Sequence, residues 1–311
     1  MMKLKIISGN ANLELSKKIV QKLGVDLTES ILDHFSDGEI HAKILDNVRG
    51  ADCYIIQPTC YPVNENLMGL LILADALKRA SAKRITAVMP YYGYGRQDRK
   101  AEPRVPITAR LIADLLATAG IMRVLTMDLH AGQIQGFFNI PVDHLYAKPV
   151  LINYIKEKNY QDLVVVAPDA GGVERARAYA KDLDADLVIV DKRRPRPNEA
   201  AIMNIIGEVK DKICVIVDDM VDTAGTLTKV AGAIKEKGAS KVIAMISHGV
   251  LSGAAKQKIR ESCLEELIIT DSIPFQKSAD DAKISIISIA SILAEAITRI
   301  SKDESVSALF S

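Results

Sequence analysis

Short apolar runs alternate with longer amphipathic stretches from one end of the chain to the other. Leu4 to Ser8, Asp52 to Gln57, Ile85 to Met89, Val124 to Met127, Leu163 to Ala167, Leu187 to Val190, Cys214 to Val217 and Lys241 to Ile246 all read as strands. The run at Cys214 is short, β-branched and without alternation, the pattern of a strand covered on both faces in a parallel sheet. Ile268 to Thr270, Ile273 and Ile284 to Ile287 predict two more short strands. Between these runs the spacing predicts helices over Leu13 to Leu23, Leu67 to Ala80, Pro106 to Ala119, Pro149 to Lys156, Val173 to Lys181, Leu227 to Lys237 and Ile289 to Ser301. Asn10 to Asn12 supplies a polar cap before the first of them, and Pro106 sits where a helix tolerates proline. Strands that alternate with helices predict an α/β fold with mainly parallel sheets.

The pattern also repeats. Ala76 to Met89 is similar to Ala233 to Met245, and Met127 to Gly132 echoes Ala167 to Gly172. We therefore expect two similar doubly wound halves, residues 1–146 and 147–288, with the crossing at Asp143 to Lys148 and the last stretch, 289–311, packing back on the first half. The first half has Gln57 to Asn66 where the second has an acidic, small-residue loop, so the two halves are not expected to bind the same ligand.

Composition narrows the classes. A chain of 311 residues with 49% apolar residues supports two cores. A net charge of +1 gives no electrostatic reason to expect nucleic acid or a membrane surface. The four cysteines lack C-x-x-C spacing and read as thiols in a reducing compartment. No long apolar segment opens the chain, and Ile284 to Leu293 is too short to span a bilayer. The expected setting is the cytoplasm.

The chemistry concentrates at Cys214 to Thr228. An apolar run ends in two carboxylates, Asp218 and Asp219, followed by Asp222-Thr223-Ala224-Gly225-Thr226 and a helix. A small-residue loop that feeds a helix N-terminus presents backbone N–H groups to an anion. Gly225 allows close backbone approach and an unusual φ there, and the threonines add hydroxyl donors. The loop suits a phosphate monoester and the carboxylates suit neighbouring hydroxyls; a phosphorylated sugar has both. The stretch resembles the signature of the phosphoribosyltransferase superfamily. G-x-x-x-x-G-K-[ST], the rival phosphate loop, does not occur.

Other segments carry further candidates. Phe35-Ser36-Asp37-Gly38-Glu39 reads as a hairpin tip, or as an aromatic and carboxylates placed to stack on a base and accept from its amine. Tyr94-Gly95-Arg96-Gln97-Asp98-Arg99-Lys100 is a basic loop suited to anionic oxygens. Asp128 and His130 stand two apart after a strand, on one face if the strand continues, where either would meet a divalent cation or phosphate, unless the lone histidine is a hydrogen-bonded structural residue. Asp169 follows another strand. Lys192-Arg193-Arg194, with prolines after it, reads as a mobile basic flap or a solvated charge run.

Together F-S-D-G-E, G-R-Q-D-R-K, D-L-H-A-G-Q-I-Q-G-F-F, K-R-R and D-D-M-V-D-T-A-G-T resemble the ribose-phosphate pyrophosphokinase family along essentially the whole chain. The resemblance implies an enzyme that transfers the diphosphoryl group of Mg-ATP to the anomeric hydroxyl of ribose 5-phosphate. By position it implies that Phe35, Asp37, Gly38, Glu39, Arg96, Gln97 and Arg99 hold ATP, and that His130 and Asp169 are linked to Mg2+. It assigns Lys192 and Arg194 to catalysis, with Arg194 also reaching ribose 5-phosphate. Asp218, Asp219, Asp222, Thr223, Ala224, Gly225 and Thr226 would hold that sugar. It further implies a homohexamer built from dimers, with a regulatory anion near Arg49, Arg104, Ser305, Ser307 and Phe310. Asn139 departs from the aspartate of many members, and Asn47 and Glu102 replace a serine and an arginine near the regulatory site. Two other readings remain at this point: a transferase that consumes phosphoribosyl diphosphate, and a non-catalytic subunit associated with active copies.

Overall fold

The computed structural model describes residues 3–193 and 202–309; the side chains of residues 192, 193, 202 and 203 lie outside the description. Arg194 and Phe310, two of the expected site residues, fall outside the described residues. The chain divides into two compact units.

The first unit opens with β1 (Leu4–Ser8), α1 (Leu13–Leu23), β2 (Ser30–His34), β3 (Ile40–Ile44) and β4 (Asp52–Ile56). It continues with α2 (Val63–Arg79), β5 (Arg84–Met89), α3 (Thr108–Ala119), β6 (Arg123–Met127) and β7 (Val142–Leu145). Asn12 caps α1 by accepting from the Leu15 N–H at 3.1 Å. The sheet order is β1-β4-β5-β6-β7, every pair parallel, while β2 and β3 form a separate antiparallel hairpin. All five residues of β4 are buried, which explains the absence of alternation in its sequence. Ile7, Cys53, Ile55, Ile85, Ala87 and Val124 form one core with the apolar faces of α2 and α3 and with Leu32, Ala42 and Ile44 of the hairpin.

The second unit contains α4 (Lys148–Glu157), β8 (Leu163–Ala167), α5 (Val173–Leu183), β9 (Asp186–Arg193), β10 (Ile202–Ile206) and β11 (Ile213–Val221). Then come α6 (Gly225–Glu236), β12 (Lys241–Gly249), α7 (Ala255–Glu261), β13 (Glu266–Thr270) and β14 (Ile284–Ile287). Its sheet order is β10-β9-β8-β11-β12-β13-β14, parallel except that β10 runs antiparallel to β9. Val164, Val166, Cys214, Ile216, Val242 and Ala244 pack against α6 and α7. The chain returns to the first unit at Ser288, where α8 (Ala290–Ser301) packs on α1.

The parallel strands of the two units share one order: β1-β4-β5-β6-β7 corresponds to β8-β11-β12-β13-β14. After the helix that follows its first strand, each unit makes an antiparallel pair. That pair stands apart as β2–β3 in the first unit and extends the sheet as β9–β10 in the second. The repeat seen between Ala76–Met89 and Ala233–Met245 therefore joins equivalent segments, α2–β5 and α6–β12. The echo between Met127–Gly132 and Ala167–Gly172 does not, because β6 and β8 hold different places in their sheets.

Three further expectations change. Val142–Leu145 is the edge strand β7 where a crossing segment was expected from Asp143. Helix α7 and strand β10 were not anticipated. Strand β11 runs on to Val221, so the two carboxylates lie within it and not beyond its end.

A buried ion pair joins the first sheet to α8. Arg84 Nε donates to Asp52 Oδ1 at 2.8 Å, its Nη2 donates to the Ile300 carbonyl at 3.1 Å, and its Nη1 donates to Asp303 Oδ1 at 2.9 Å. Asp52 is only 1% exposed. Arg84→Met leaves that carboxylate buried without its cation, at a cost of about 3–5 kcal/mol. Denaturant unfolding should show the loss, and an unchanged midpoint would make the pair dispensable.

Candidate active site

The acidic pair is built by β11 and α5. Strand β11 stays paired with β12 through Asp218 opposite Ile246 and Val221 opposite Gly249. Arg175, in the first turn of α5, places Nη1 3.0 Å from Asp218 Oδ1 and 3.3 Å from Asp219 Oδ1. The Asp219 N–H donates to Asp218 Oδ1 at 2.9 Å. Asp219 is buried, while the Asp218 side chain keeps 31% of its surface open, enough for a ligand to reach it. Burial first, and then the negative charge of Asp219, push Asp218 up to about 8; Arg175 pulls against both. Asp218 therefore holds a proton more tightly than a free carboxylate does. Once it is lost, the pair offers acceptors for adjacent hydroxyls. Arg175 was not singled out by sequence, since nothing in V-E-R-A-R names an acidic partner 43 residues away.

The loop that follows departs from expectation in one respect. Ala224, not Gly225, takes the left-handed conformation, with φ 59° and ψ 4°. A Cβ at Gly225 would meet Thr223 Oγ1 and Lys258 Nζ only at ordinary contact distance, 3.8 and 3.9 Å. A left-handed alanine costs about 1–2 kcal/mol, and such strain gathers at functional sites. As N-cap of α6, Ala224 provides no side-chain hydrogen bond, so it leaves first-turn N–H groups available to an anion. Thr228 Oγ1 donates to the Ala224 carbonyl at 2.9 Å, Ser252 Oγ donates to Asp222 Oδ1, and Lys258 Nζ donates to the Thr223 carbonyl at 3.0 Å. Asp169 follows β8, the strand beside β11, and its Oδ1 accepts from the Gly172 N–H at 3.0 Å.

The first unit holds the other candidates. Phe35, Asp37 and Glu39 are exposed at the tip of the β2–β3 hairpin, and Gly38 takes φ 93°. Asp37 Oδ1 accepts from the Glu39 N–H at 3.1 Å, and Phe35 lies against His41 with ring centroids 5.0 Å apart. In the basic loop a Cβ at Gly93 would come within 2.3 Å of the Thr59 carbonyl, so only glycine fits there. His130 Cβ lies 3.8 Å from where a Cβ on Gly95 would sit, which brings His130 beside the Arg96-Gln97 segment. Gln133 Nε2 donates to Asp98 Oδ2 at 3.2 Å across the same two loops. Arg96, Gln97 and Arg99 are exposed. Strand β6 ends at Met127 and Asp128 takes φ 39°, so the strand does not carry Asp128 and His130 onward on one face.

Lys192 belongs to β9, opposite Met203 of β10. Ser305 and Ser307 line a cavity of about 500 Å³ with Arg123, Gln135, Asp143 and His144. Arg49 and Arg104 do not line it; its cation is Arg123, which is paired with Asp143 at 2.6 Å.

A ribose-phosphate pyrophosphokinase of Neisseria meningitidis is 54% identical to this chain over 309 residues, 99% of this chain and 94% of that protein. The chain belongs to the ribose-phosphate pyrophosphokinase family. Residues 4–120 match the N-terminal domain of ribose phosphate pyrophosphokinase, and residues 191–311 match the phosphoribosyl synthetase-associated domain. The Fusobacterium nucleatum member is 53% identical over 99% of this chain. The crystal structure of phosphoribosylpyrophosphate synthetase from Mycobacterium smegmatis aligns with a TM-score of 0.91 at 40% identity, covering 97% of this chain and 99% of that one. The fold is thus the two-domain, phosphoribosyltransferase-like α/β fold of that family, and membership favours an enzyme of this kind over the two other readings. No helix among the described residues is long and apolar enough to cross a membrane.

Proposed function

We propose that this chain transfers the diphosphoryl group of Mg-ATP to the anomeric hydroxyl of ribose 5-phosphate, giving 5-phosphoribosyl diphosphate and AMP. The observation that carries the reading is the pair Asp218–Asp219, held by Arg175 next to the uncapped start of α6. Acceptors for vicinal hydroxyls and donors for a phosphate adjoin, as a sugar phosphate requires. Asp222, Thr223, Ala224, Gly225 and Thr226 would hold the 5-phosphate and lower ribose. Phe35 would stack on adenine, with Asp37 and Glu39 accepting from its amine beside Gly38. Arg96, Gln97 and Arg99 would bind the ATP phosphates and ribose.

In the reaction the sugar oxygen attacks the β-phosphorus, the bond from that phosphorus to the α-phosphate bridging oxygen breaks, AMP leaves, and the hydroxyl proton is lost. Positioning and charge neutralisation carry most of such a reaction. Lys192 and Arg194 would stabilise charge that grows on the transferred group.

The donors suit Mg2+. No cluster of three or more His, Cys, Asp or Glu ligands occurs among the described residues, and magnesium is usually held by one or two carboxylates plus substrate phosphates and water. Asp169, exposed and with Oδ1 engaged by Gly172, would hold it, and family membership points to His130 as a second magnesium-linked residue. Bound there, Mg2+ would withdraw charge from the phosphate oxygens.

We also read the protein as cytoplasmic and as a homohexamer built from dimers, with a regulatory anion near Arg49, Arg104, Ser305, Ser307 and Phe310. Sedimentation and activity against phosphate concentration, for the intact chain and one ending at Glu304, test that part. Identical responses would remove the tail from regulation. The activity itself is tested by AMP release from Mg-ATP that depends on ribose 5-phosphate. No AMP would end the proposal.

A further inference from the structure

Helix α7 carries three cations, and the structure uses them differently. Lys256 Nζ lies 3.1 Å from Asp281 Oδ2, and Arg260 Nη1 lies 3.3 Å from Asp280 Oδ2. Both are neutralised by carboxylates on the same side. Lys258 turns to the loop before α6 and donates to the Thr223 carbonyl at 3.0 Å. Among the described residues no carboxylate pairs with it.

Its position follows from how α7 is held. Ala255 and Ile259 are buried in the core that α6 also enters, so the backbone on either side of Lys258 is fixed. The ammonium lies 3.9 Å from where a Cβ on Gly225 would sit. Helical Cβ atoms tilt toward the N-terminus, so that point lies at the open mouth of α6.

Charge accounting gives this cation a purpose. The segment from Asp218 to Asp222 carries three carboxylates. A phosphate monoester arriving beside them adds more negative charge, and the helix terminus offers only about half a unit of positive charge in return. Arg175 serves the acidic pair. Lys258 is a cation in contact with the loop itself. An ammonium has three donors, so it can keep the Thr223 carbonyl and still donate to a phosphate oxygen.

We propose that Lys258 is a further ligand of the sugar substrate, binding the phosphate of ribose 5-phosphate from the side of α7. The proposal rests on the reading of the Asp222–Thr226 loop as the sugar-phosphate site. It assigns a specificity role to a lysine on a helix whose sequence gave no sign of one.

The test is the affinity of the full-length protein for ribose 5-phosphate by calorimetry, with KM values for both substrates, in wild type, Lys258→Gln and Lys258→Arg. Lys258→Gln can keep a hydrogen bond to the Thr223 carbonyl but loses the charge. It should weaken ribose 5-phosphate about tenfold, as one charge-assisted contact at an exposed site, with KM for ATP unchanged. Lys258→Arg should stay within about threefold of wild type, and rising salt should narrow the gap between wild type and Lys258→Gln. Equal sugar affinity in wild type and Lys258→Gln would overturn the inference while leaving the proposed function intact. Equal losses for sugar and ATP would overturn it too, by making Lys258 a structural prop. A wild type that binds no ribose 5-phosphate would overturn both.

Discussion

Lys192→Ala is expected to lower turnover by about 10²–10³-fold while KM for both substrates changes little. The reasoning is chemical. Negative charge on the transferred group grows only as the bond to AMP lengthens, so a cation that answers it stabilises the transition state more than the bound substrates. Strand β9 carries the chain through Lys192 and Arg193 before the basic run continues. Steady-state kinetics separate the cases: a fall in kcat alone supports the role, a rise in KM alone makes Lys192 a binding residue, and near-normal kinetics make it a bystander.

The second large effect concerns the acidic pair. Arg175→Met removes the cation that touches Asp218 and Asp219, one of them buried. Leaving a buried charge uncompensated costs about 3–5 kcal/mol. Part of that cost is avoided if the pair holds its proton more tightly. We therefore expect ribose 5-phosphate to bind at least about 10²-fold more weakly at neutral pH, with ATP much less affected. The pH dependence has a definite sign. Asp218 is raised in the folded protein from 3.8 to about 8. Between those values the unliganded fold holds a proton that the unfolded chain has lost, so its stability falls as pH rises through the window. If the ionised pair holds the sugar as proposed, binding should strengthen as pH rises toward and past about 8. In Arg175→Met that rise moves to higher pH. A variant with the wild-type profile would show that Arg175 does not hold the pair for the sugar.

Much of the fold around the candidate site could be read from residues alone, and the exceptions have physical reasons. Strands buried on both faces announce themselves, as Cys214 to Val217 does. The ladder beyond them does not: Asp218 and Asp219 continue β11 because β12 still pairs with it, whatever their propensity. Strand β7 passed for a link because Val142-Asp143-His144-Leu145 places two polar residues in its middle. Helix α7 is short and shows only Ala255 and Ile259 to the core, too little for a periodicity to stand out. Glycine was the natural residue for the left-handed turn, but the spacing of β11 and α6 puts that turn one residue earlier, on Ala224. Arg175 and Lys258 were missed because their partners lie far away in sequence: Asp218 is 43 residues from Arg175 and Thr223 is 35 residues from Lys258. The repeat between the two units was visible only where α2–β5 and α6–β12 kept similar sequences. The shared strand order, and the displaced hairpin, needed the structure.

The central claim is that an intact diphosphoryl group moves from ATP to a sugar phosphate. ATP labelled at its β-phosphorus tests it most directly. Incubated with Mg2+, ribose 5-phosphate and the protein, the label should appear on the sugar product in equal amount to unlabelled AMP. Label retained on the nucleotide as ADP, or ATP left unconsumed, would contradict the account.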